Sequence, residues 1–344
     1  MAAPICVVHP SFCSNRLGGS TRGGRVAKVD VVVPCYNYGR FLEGCVHSVL
    51  EQSCGDLRVL VIDDASSDDS ASVAHKLAHA DSRVSVISHP QNWGHIATYN
   101  QGIEWASSDY FLLLSADDLL VSGALERAVE VMDANPDIVL TYGTGVSWHD
   151  DLAPPKMEDQ HANTWTRQDL VREMCVIGAN MVNTPTAIGR TCVQKAVGGY
   201  RASLPHSGDM EMWLRFGAHG AVAKFDAVQA IYRKHSSNMS SSYWSEDGSD
   251  YSHRKAAFDS FFEEYMDRLP EGQRLRTMAY RMLAETAFWR AIGRMRRGYI
   301  NSGLQLLRFS IDLNPRLRFG PPAGSILRRA STKVFGRTDK QPFC

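Results

Sequence analysis

The 344-residue sequence predicts an α/β fold, a mostly parallel sheet with helices on both faces. Three observations carry this. Apolar runs of strand length alternate with segments of helical spacing. Within the runs successive residues are apolar, as a strand buried on both faces requires. Polar residues gather where each run stops, and ligands of such sheets sit outside the carboxyl ends of the strands.

Residues 1–28 show no periodicity and are rich in Gly and Ser around Leu17–Gly24, so they read as a flexible arm. Val29–Val33 is the first strand, interrupted only by Asp30 and closed by Pro34. Phe41, Leu42, Cys45, Val46, Val49 and Leu50 then follow helical spacing. Leu57–Ile62 is the second strand and stops at Asp63-Asp64. A short helix runs through Val73, Ala74 and Leu77, and Val84–Ile87 is the third strand. Tyr110–Leu114 is the fourth, ending at Ser115-Ala116-Asp117-Asp118. A helix bearing Leu125, Ala128, Val129 and Met132 leads to a fifth strand over Ile138–Tyr142.

Beyond residue 145 the pattern loosens. Asp150–Asn163 is a polar loop, Thr166-x-x-Asp169 looks like a helix start, and Pro205–Asp209 leads into a helix with Met210, Trp213, Leu214 and Gly217 on one face. Ser236–Gly248 is Ser-rich. The remainder reads as helical, with stripes at Phe258, Phe261, Phe262, Tyr265 and Met266 and at Leu304, Leu307 and Ile311. Arg290, Arg294 and Arg297 share one helical face. Phe288–Pro315, with Gly298 between helices, looks like a single tetratricopeptide-type helix pair.

Composition bounds the function. Lys plus Arg and Asp plus Glu both number 37, so the formal charge is zero, which excludes a uniformly basic or acidic protein. The balance hides a division. Residues 29–270 hold 18 basic and 33 acidic residues, whereas residues 271–344 hold 15 basic and 4 acidic. No apolar run is long enough to span a bilayer. The first residues lack the charged start and apolar middle of a secretory signal. The eight Cys are scattered without a C-x-x-C pair, so they read as reduced thiols of a cytoplasmic protein.

The strand-end carboxylates carry the chemistry. Asp117-Asp118 suits an Mg²⁺ or Mn²⁺ ion on a diphosphate, which wants one or two carboxylates plus phosphate oxygens. The bland alternative is a solvated turn that caps the next helix. Asp63-Asp64 repeats the device, where a carboxylate could accept a nucleobase imide N–H; Asp68 reads as a helix cap. His206-Ser207 lacks the Gly-x-Ser-x-Gly elbow of a hydrolase. The Gly18–Arg25 stretch precedes the first strand, where a phosphate-cradling loop would follow it.

Several ordered motifs resemble the inverting family 2 glycosyltransferases of GT-A fold. They are Val31-Val32-Val33-Pro34-Cys35-Tyr36-Asn37, Ser48-Val49-Leu50-Glu51-Gln52-Ser53, Val61-Ile62-Asp63-Asp64-Ala65-Ser66, Asn92-x-Gly94, Asn100-Gln101-Gly102-Ile103 and Ser115-Ala116-Asp117-Asp118. The resemblance spans about residues 29–240. It implies sugar transfer from a nucleotide sugar, a UDP-sugar favoured, to a hydroxyl of a saccharide, lipid-linked or other acceptor, in bacterial polysaccharide or glycoconjugate synthesis. By that resemblance Pro34, Tyr36, Asn37 and Asn92 belong to the donor site, Asp64 reads the base, Asp117 contacts the ribose and Asp118 ligates the metal. His206-Ser207-Gly208-Asp209-Met210-Glu211-Met212-Trp213 matches the segment that carries the general base, which makes Asp209 the base; Gly208 stands where relatives have a first acid. Glu211 is the alternative, although a helix would rotate it away from Asp209. The segment Ile231–Ser240 resembles the one that closes over the donor, with His235 reaching the metal or a phosphate and Arg233 nearby. Tyr99 stands where many relatives have Arg, and Ser115 where they often have Asp.

The expected organisation is a basic arm (1–28), a GT-A domain (29–240, with a nucleotide-sugar half at 29–145 and an acceptor half at 146–240) and a basic helical region (241–344). That last region reads either as helices packed on the catalytic domain or as a basic face for anionic membrane lipid, peripheral at the inner side of the membrane. Nucleic acid is not an expected partner, since no recognition motif accompanies the basic residues. Two other functions compete: a sugar-phosphate nucleotidyltransferase of related fold, and a non-catalytic adaptor using its helical tail.

Overall fold

The structure, a computed structural model, describes residues 28–322 except 55, 151, 153–154, 156–163, 237 and 239–248. The basic arm, nearly all of the Ser-rich 236–248 segment and the tail from residue 323 lie outside the described residues.

Nine strands form one sheet: β1 (Val29–Cys35), β2 (Leu57–Asp63), β3 (Val84–Ser88), β4 (Tyr110–Leu113), β5 (Leu119–Leu120), β6 (Ile138–His149), β7 (Trp165–Gln168), β8 (Ile188–Arg190) and β9 (Ala221–Lys234). The order is β3-β2-β1-β4-β8-β6-β9-β5, with β7 also paired to β9. Strands β3, β2, β1 and β4 are mutually parallel, so their carboxyl ends share one edge of the sheet. β8 runs antiparallel between β4 and β6, and the long β9 runs parallel to β6.

Ten helices pack around the sheet among the described residues: α1 (Gly39–Leu50), α2 (Ser70–Ala80), α3 (His95–Trp105), α4 (Ala124–Ala134), α5 (Leu170–Ile177), α6 (Thr191–Val197), α7 (Gly208–His219), α8 (Ser249–Tyr265), α9 (Gly272–Arg296) and α10 (Ile300–Leu313). The all-apolar strands divide their side chains by parity. Val31, Val33, Val59 and Val61 pack with Leu42 and Val46 of α1 and Leu125 and Met132 of α4. Val32, Leu60 and Ile62 face the other way, into a core shared with Trp213 of α7 and with Phe258, Phe261 and Tyr265 of α8. Helix α8 and the first half of α9 are thus part of the sheet's own core, whereas α10 packs on the second half of α9 in a separate cluster. Gly102 lets α3 lie against β1, since a Cβ there would collide with the Val32 methyls.

Asp30, the polar interruption in β1, is completely buried and accepts bonds from Arg58 Nε (2.8 Å), Ser107 N (2.6 Å) and Ser108 N (2.8 Å). Burial raises its pKa, but the bonds to Arg58 and Ser108 outweigh it and hold the carboxyl below its usual range.

Several expectations change. Thr166 does not start a helix: it lies in β7, paired with Lys224 of β9, and Asp169 caps α5 by accepting from Arg172 N at 3.1 Å. Strand pairing claims the residue that local chemistry offered to the helix. The fifth predicted strand continues to His149 because β9 pairs along its length. Of the Leu304 stripe, Leu307 and Ile311 pack inward while Leu304 is exposed. Arg290, Arg294 and Arg297 do not behave as one solvated face: Arg294 is buried and donates to Ser302 Oγ at 2.8 Å. Cys35, Cys45, Cys54 and Cys175 are free thiols, as the sequence reading expected for them.

Candidate active site

Cys35 and Asp63 end adjacent parallel strands in register, and Asp64 N donates to Cys35 O at 2.9 Å. Both chains then turn sharply through left-handed residues, Asn37 (φ 59°) and Ala65 (φ 57°). A non-glycine residue in that region costs about 1–3 kcal/mol and tends to mark a functional site. The two turns are tied together: Asn37 N donates to Ser66 Oγ (2.9 Å) and Ser67 N donates to Asn37 Oδ1 (2.8 Å). Pro34 is half-buried beneath this junction and the Tyr36 ring is exposed.

The neighbouring carboxylates differ in their engagement. Asp64 Oδ1 accepts from Trp93 N (2.7 Å) and contacts His89 Nδ1 (2.7 Å), while Oδ2 accepts from Gly94 N (2.9 Å). His89 Nε2 contacts Gln101 Oε1 at 2.7 Å, and its ring stacks on Trp93. Asp64 therefore anchors the 89–94 segment, on which Asn92 is exposed. Asp63 Oδ1 is buried at the same strand end and has no hydrogen-bond partner among the described residues.

β4 delivers Asp117 and Asp118, both buried. Asp117 Oδ2 accepts from Asn238 Nδ2 (2.9 Å) and contacts His235 Nε2 (3.1 Å). Asp118 Oδ1 accepts from Arg233 N at 3.1 Å. Arg233 Nε donates to Asp117 O (3.0 Å) and Nη1 to Asp150 Oδ1 (3.0 Å), with the guanidinium between the Phe41 and Trp148 rings. The end of β9 thus folds over the carboxylate pair, and His235 packs on Phe41 and Tyr38 of the α1 entry.

Burial sets the electrostatics of this edge. Burial, then the neighbouring Asp117 charge, push the Asp118 carboxyl well above its usual range. Burial likewise raises Asp117, with the His235 hydrogen bond opposing it. Asp118 is 1% exposed, and no hydrogen bond reaches its Oδ2 among the described residues. The described residues contain no group of three or more His, Cys, Asp or Glu able to hold a metal. The donor set suits a divalent cation that takes one protein carboxylate and completes its shell with diphosphate oxygens and water, the habit of Mg²⁺. His235, the second predicted ligand, has its Nε2 on Asp117 here.

Asp209 lies in the first turn of α7, on a separate element. Its Oδ2 accepts from Asn180 Nδ2 at 3.0 Å and its Oδ1 from Met210 N at 2.7 Å, with Thr184 as a further side-chain partner. Burial raises its pKa despite these bonds. The loop that carries Asn180 and Thr184 reaches the sheet at the 184–186 turn, which packs near β4, β5 and β9. Among the described residues no hydrogen bond joins Asp209 to the Asp117-Asp118 pair or to the Asn37–Asp64 junction.

Glu211 is not available as a base. It is fully buried and pairs with Arg215 (2.8 Å) and Arg201 (3.0 Å), and Arg215 Nη2 also donates to Gly199 O at 2.9 Å. Removing one partner leaves a buried charge uncompensated, so Glu211→Ala is expected to lower stability by about 3–5 kcal/mol in urea unfolding. Unchanged stability would show that the pair is dispensable.

Motif reading missed His89, Trp93, Asn180, Thr184 and the contact of Asn238 with Asp117. Asn238 lay inside a motif without a role. Asn180 and Thr184 sit in a non-periodic stretch whose partner is about 30 residues away, beyond any local signal.

The model of glycosyl transferase family 2 matches residues 30–183. A glycosyltransferase of Haemophilus influenzae with no characterised activity is 25% identical over 222 residues, covering 62% of this chain and 68% of its own. Staphylococcus aureus TarS 1–349, solved with UDP-GlcNAc, superposes with TM-score 0.54 at 16% identity, covering 86% of this chain and 93% of that one. The Pyrobaculum calidifontis mannosyltransferase PcManGT, solved with GDP-Man and Mn²⁺, gives 0.57 at 14% identity, covering 95% and 87%. At these identities the structures share the GT-A fold.

Proposed function

Through residues 30–183 this glycosyltransferase belongs to glycosyl transferase family 2, and on that premise we propose that it transfers a sugar from a nucleotide-sugar donor to an acceptor hydroxyl, with a divalent cation and with inversion. The observation that carries the reading is the buried Asp117-Asp118 pair at the carboxyl edge of the sheet, covered by Arg233, His235 and Asn238. UDP-GlcNAc on TarS and GDP-Man with Mn²⁺ on PcManGT make nucleotide sugars the apt class.

The nucleoside would enter over the Pro34–Asn37 turn, with Tyr36 exposed to it. Asp64, which reads the base in this proposal, also holds the 89–94 wall, with Asn92 at its rim. Asp117 faces the ribose and its carboxylate is fixed by Asn238 and His235. Asp118 would hold Mn²⁺ or Mg²⁺, with His235 beside it, and the cation would supply positive charge to the departing diphosphate. Asp209 takes the acceptor proton. The new C–O bond forms on the face opposite the breaking C–O(phosphate) bond, the leaving diphosphate keeps that electron pair, and the configuration inverts. Asn180 and Thr184 fix the carboxylate, and its raised pKa brings the base nearer the working pH.

Calorimetry with UDP and GDP tests this. Binding in Mn²⁺ that disappears with chelator is the expected result. No nucleoside diphosphate binding in Mn²⁺ would overturn the reading.

A further inference from the structure

Fifteen basic residues lie beyond residue 270, ten of them described, and eight of those ten fall into two groups. Arg274 and Arg281 pair with Glu271 and Glu285, and Arg294 is buried on Ser302 and the Tyr299 ring. By contrast Arg296, Arg297, Arg308, Arg316 and Arg318 are exposed, and none makes an ion pair among the described residues. Between residues 286 and 322 the only acid is Asp312.

Exposed apolar side chains gather in the same place. Of nine large hydrophobic residues exposed among the described residues, four fall between 299 and 319: Tyr299, Ile300, Leu304 and Phe319, the last 92% exposed. Arg296 and Arg297 close α9, Tyr299 is in the turn, and Ile300, Leu304 and Arg308 follow at intervals of four along one line of α10. The fold has a reason for this exposure. Gly303 seats α10 on Ala291 and Met295 of α9, and Leu306 and Ser310 fill that seam, so the Ile300–Leu304–Arg308 line points outward.

We propose that the α9–α10 tip is a docking surface for an anionic lipid membrane, with Tyr299, Ile300 and Leu304 entering the headgroup layer and Arg296, Arg297 and Arg308 meeting lipid phosphates. Charge complementarity selects this occupant: a cluster of unpaired guanidiniums beside isolated aliphatic and aromatic side chains matches an interface that is anionic outside and apolar beneath. No helix among the described residues is long and apolar enough to cross a membrane, and this surface needs none.

Flotation of the full chain tests it, using phosphatidylcholine vesicles with and without about 30% phosphatidylserine, at salt where the Debye length is about 10 Å and again where it is about 3 Å. Binding to the anionic vesicles at low salt, none to neutral ones and loss at high salt are expected. Each arginine contributes roughly fivefold to partitioning, so R296E/R297E should weaken it at least about 25-fold. I300S/L304S should weaken it with the salt dependence kept. Both variants should retain the melting temperature and the donor binding of the parent, which separates this surface from the active site. No binding to anionic vesicles at low salt, or binding undiminished in R296E/R297E, would overturn the proposal.

Discussion

Replacing Asp209 with Asn is expected to lower sugar transfer by about 10²–10⁴-fold, the usual contribution of a positioned general base. The substitution keeps the size and the hydrogen-bonding shape of the side chain, so the contacts with Asn180 and Met210 N limit any collapse of the site. Donor affinity should stay within about twofold, since Asp209 lies on α7 and among the described residues is not bonded to the Asp117-Asp118 pair or the Asn37–Asp64 junction. Calorimetry with UDP or GDP, beside turnover, separates the two effects. The pH profile adds a second check. A base must be unprotonated to work, and burial raises the Asp209 pKa. Activity should therefore rise with pH along an acid limb placed above the ordinary aspartate value of about 3.9. Full activity in Asp209→Asn would remove the assignment.

The second large effect is expected at Asp118. Asp118→Asn removes the buried charge, to which Arg233 N–H is the one hydrogen-bond donor among the described residues. Metal-assisted charge stabilisation is worth several kcal/mol, so turnover should fall by about 10³-fold. Nucleoside diphosphate binding should weaken in Mn²⁺ and match that of the parent in chelator. The variant should be at least as stable as the parent without metal, because a neutral amide is less costly than a carboxylate at a buried site beside Asp117. A variant that kept Mn²⁺-linked binding would place the cation elsewhere.

The fold was legible because its signal is local. In β1, β2 and β4 an apolar run stops at a polar residue, and that boundary marks both the strand end and the site edge. The carboxylate pair and Asp209 were read from ordered motifs, and the structure puts Asp117 and Asp118, both buried, after β4 and Asp209 in the first turn of α7. Other features depended on partners far along the chain. β7 exists because β9 offers an edge, although Thr166-x-x-Asp169 alone suggests a helix. α3 was missed because it is buried mainly at Thr98, Gly102 and Ile103, too few positions for a stripe. Arg294 looked like its exposed neighbours until Ser302 and Tyr299 came round the turn to meet it. Asp64 shows the same limit within a motif: its type and place were readable, but its bonds to the 89–94 segment were not.

The central claim is metal-dependent transfer with inversion, and the anomeric configuration of the first product tests it most directly. Incubating the protein with nucleotide sugars and Mn²⁺, and following the anomeric proton by NMR as the donor is consumed, requires no knowledge of the acceptor, because water can replace it slowly. The expected result is an initial sugar product of inverted configuration, released with nucleoside diphosphate and abolished by chelator. An initial product of retained configuration, or turnover indifferent to metal, would contradict it.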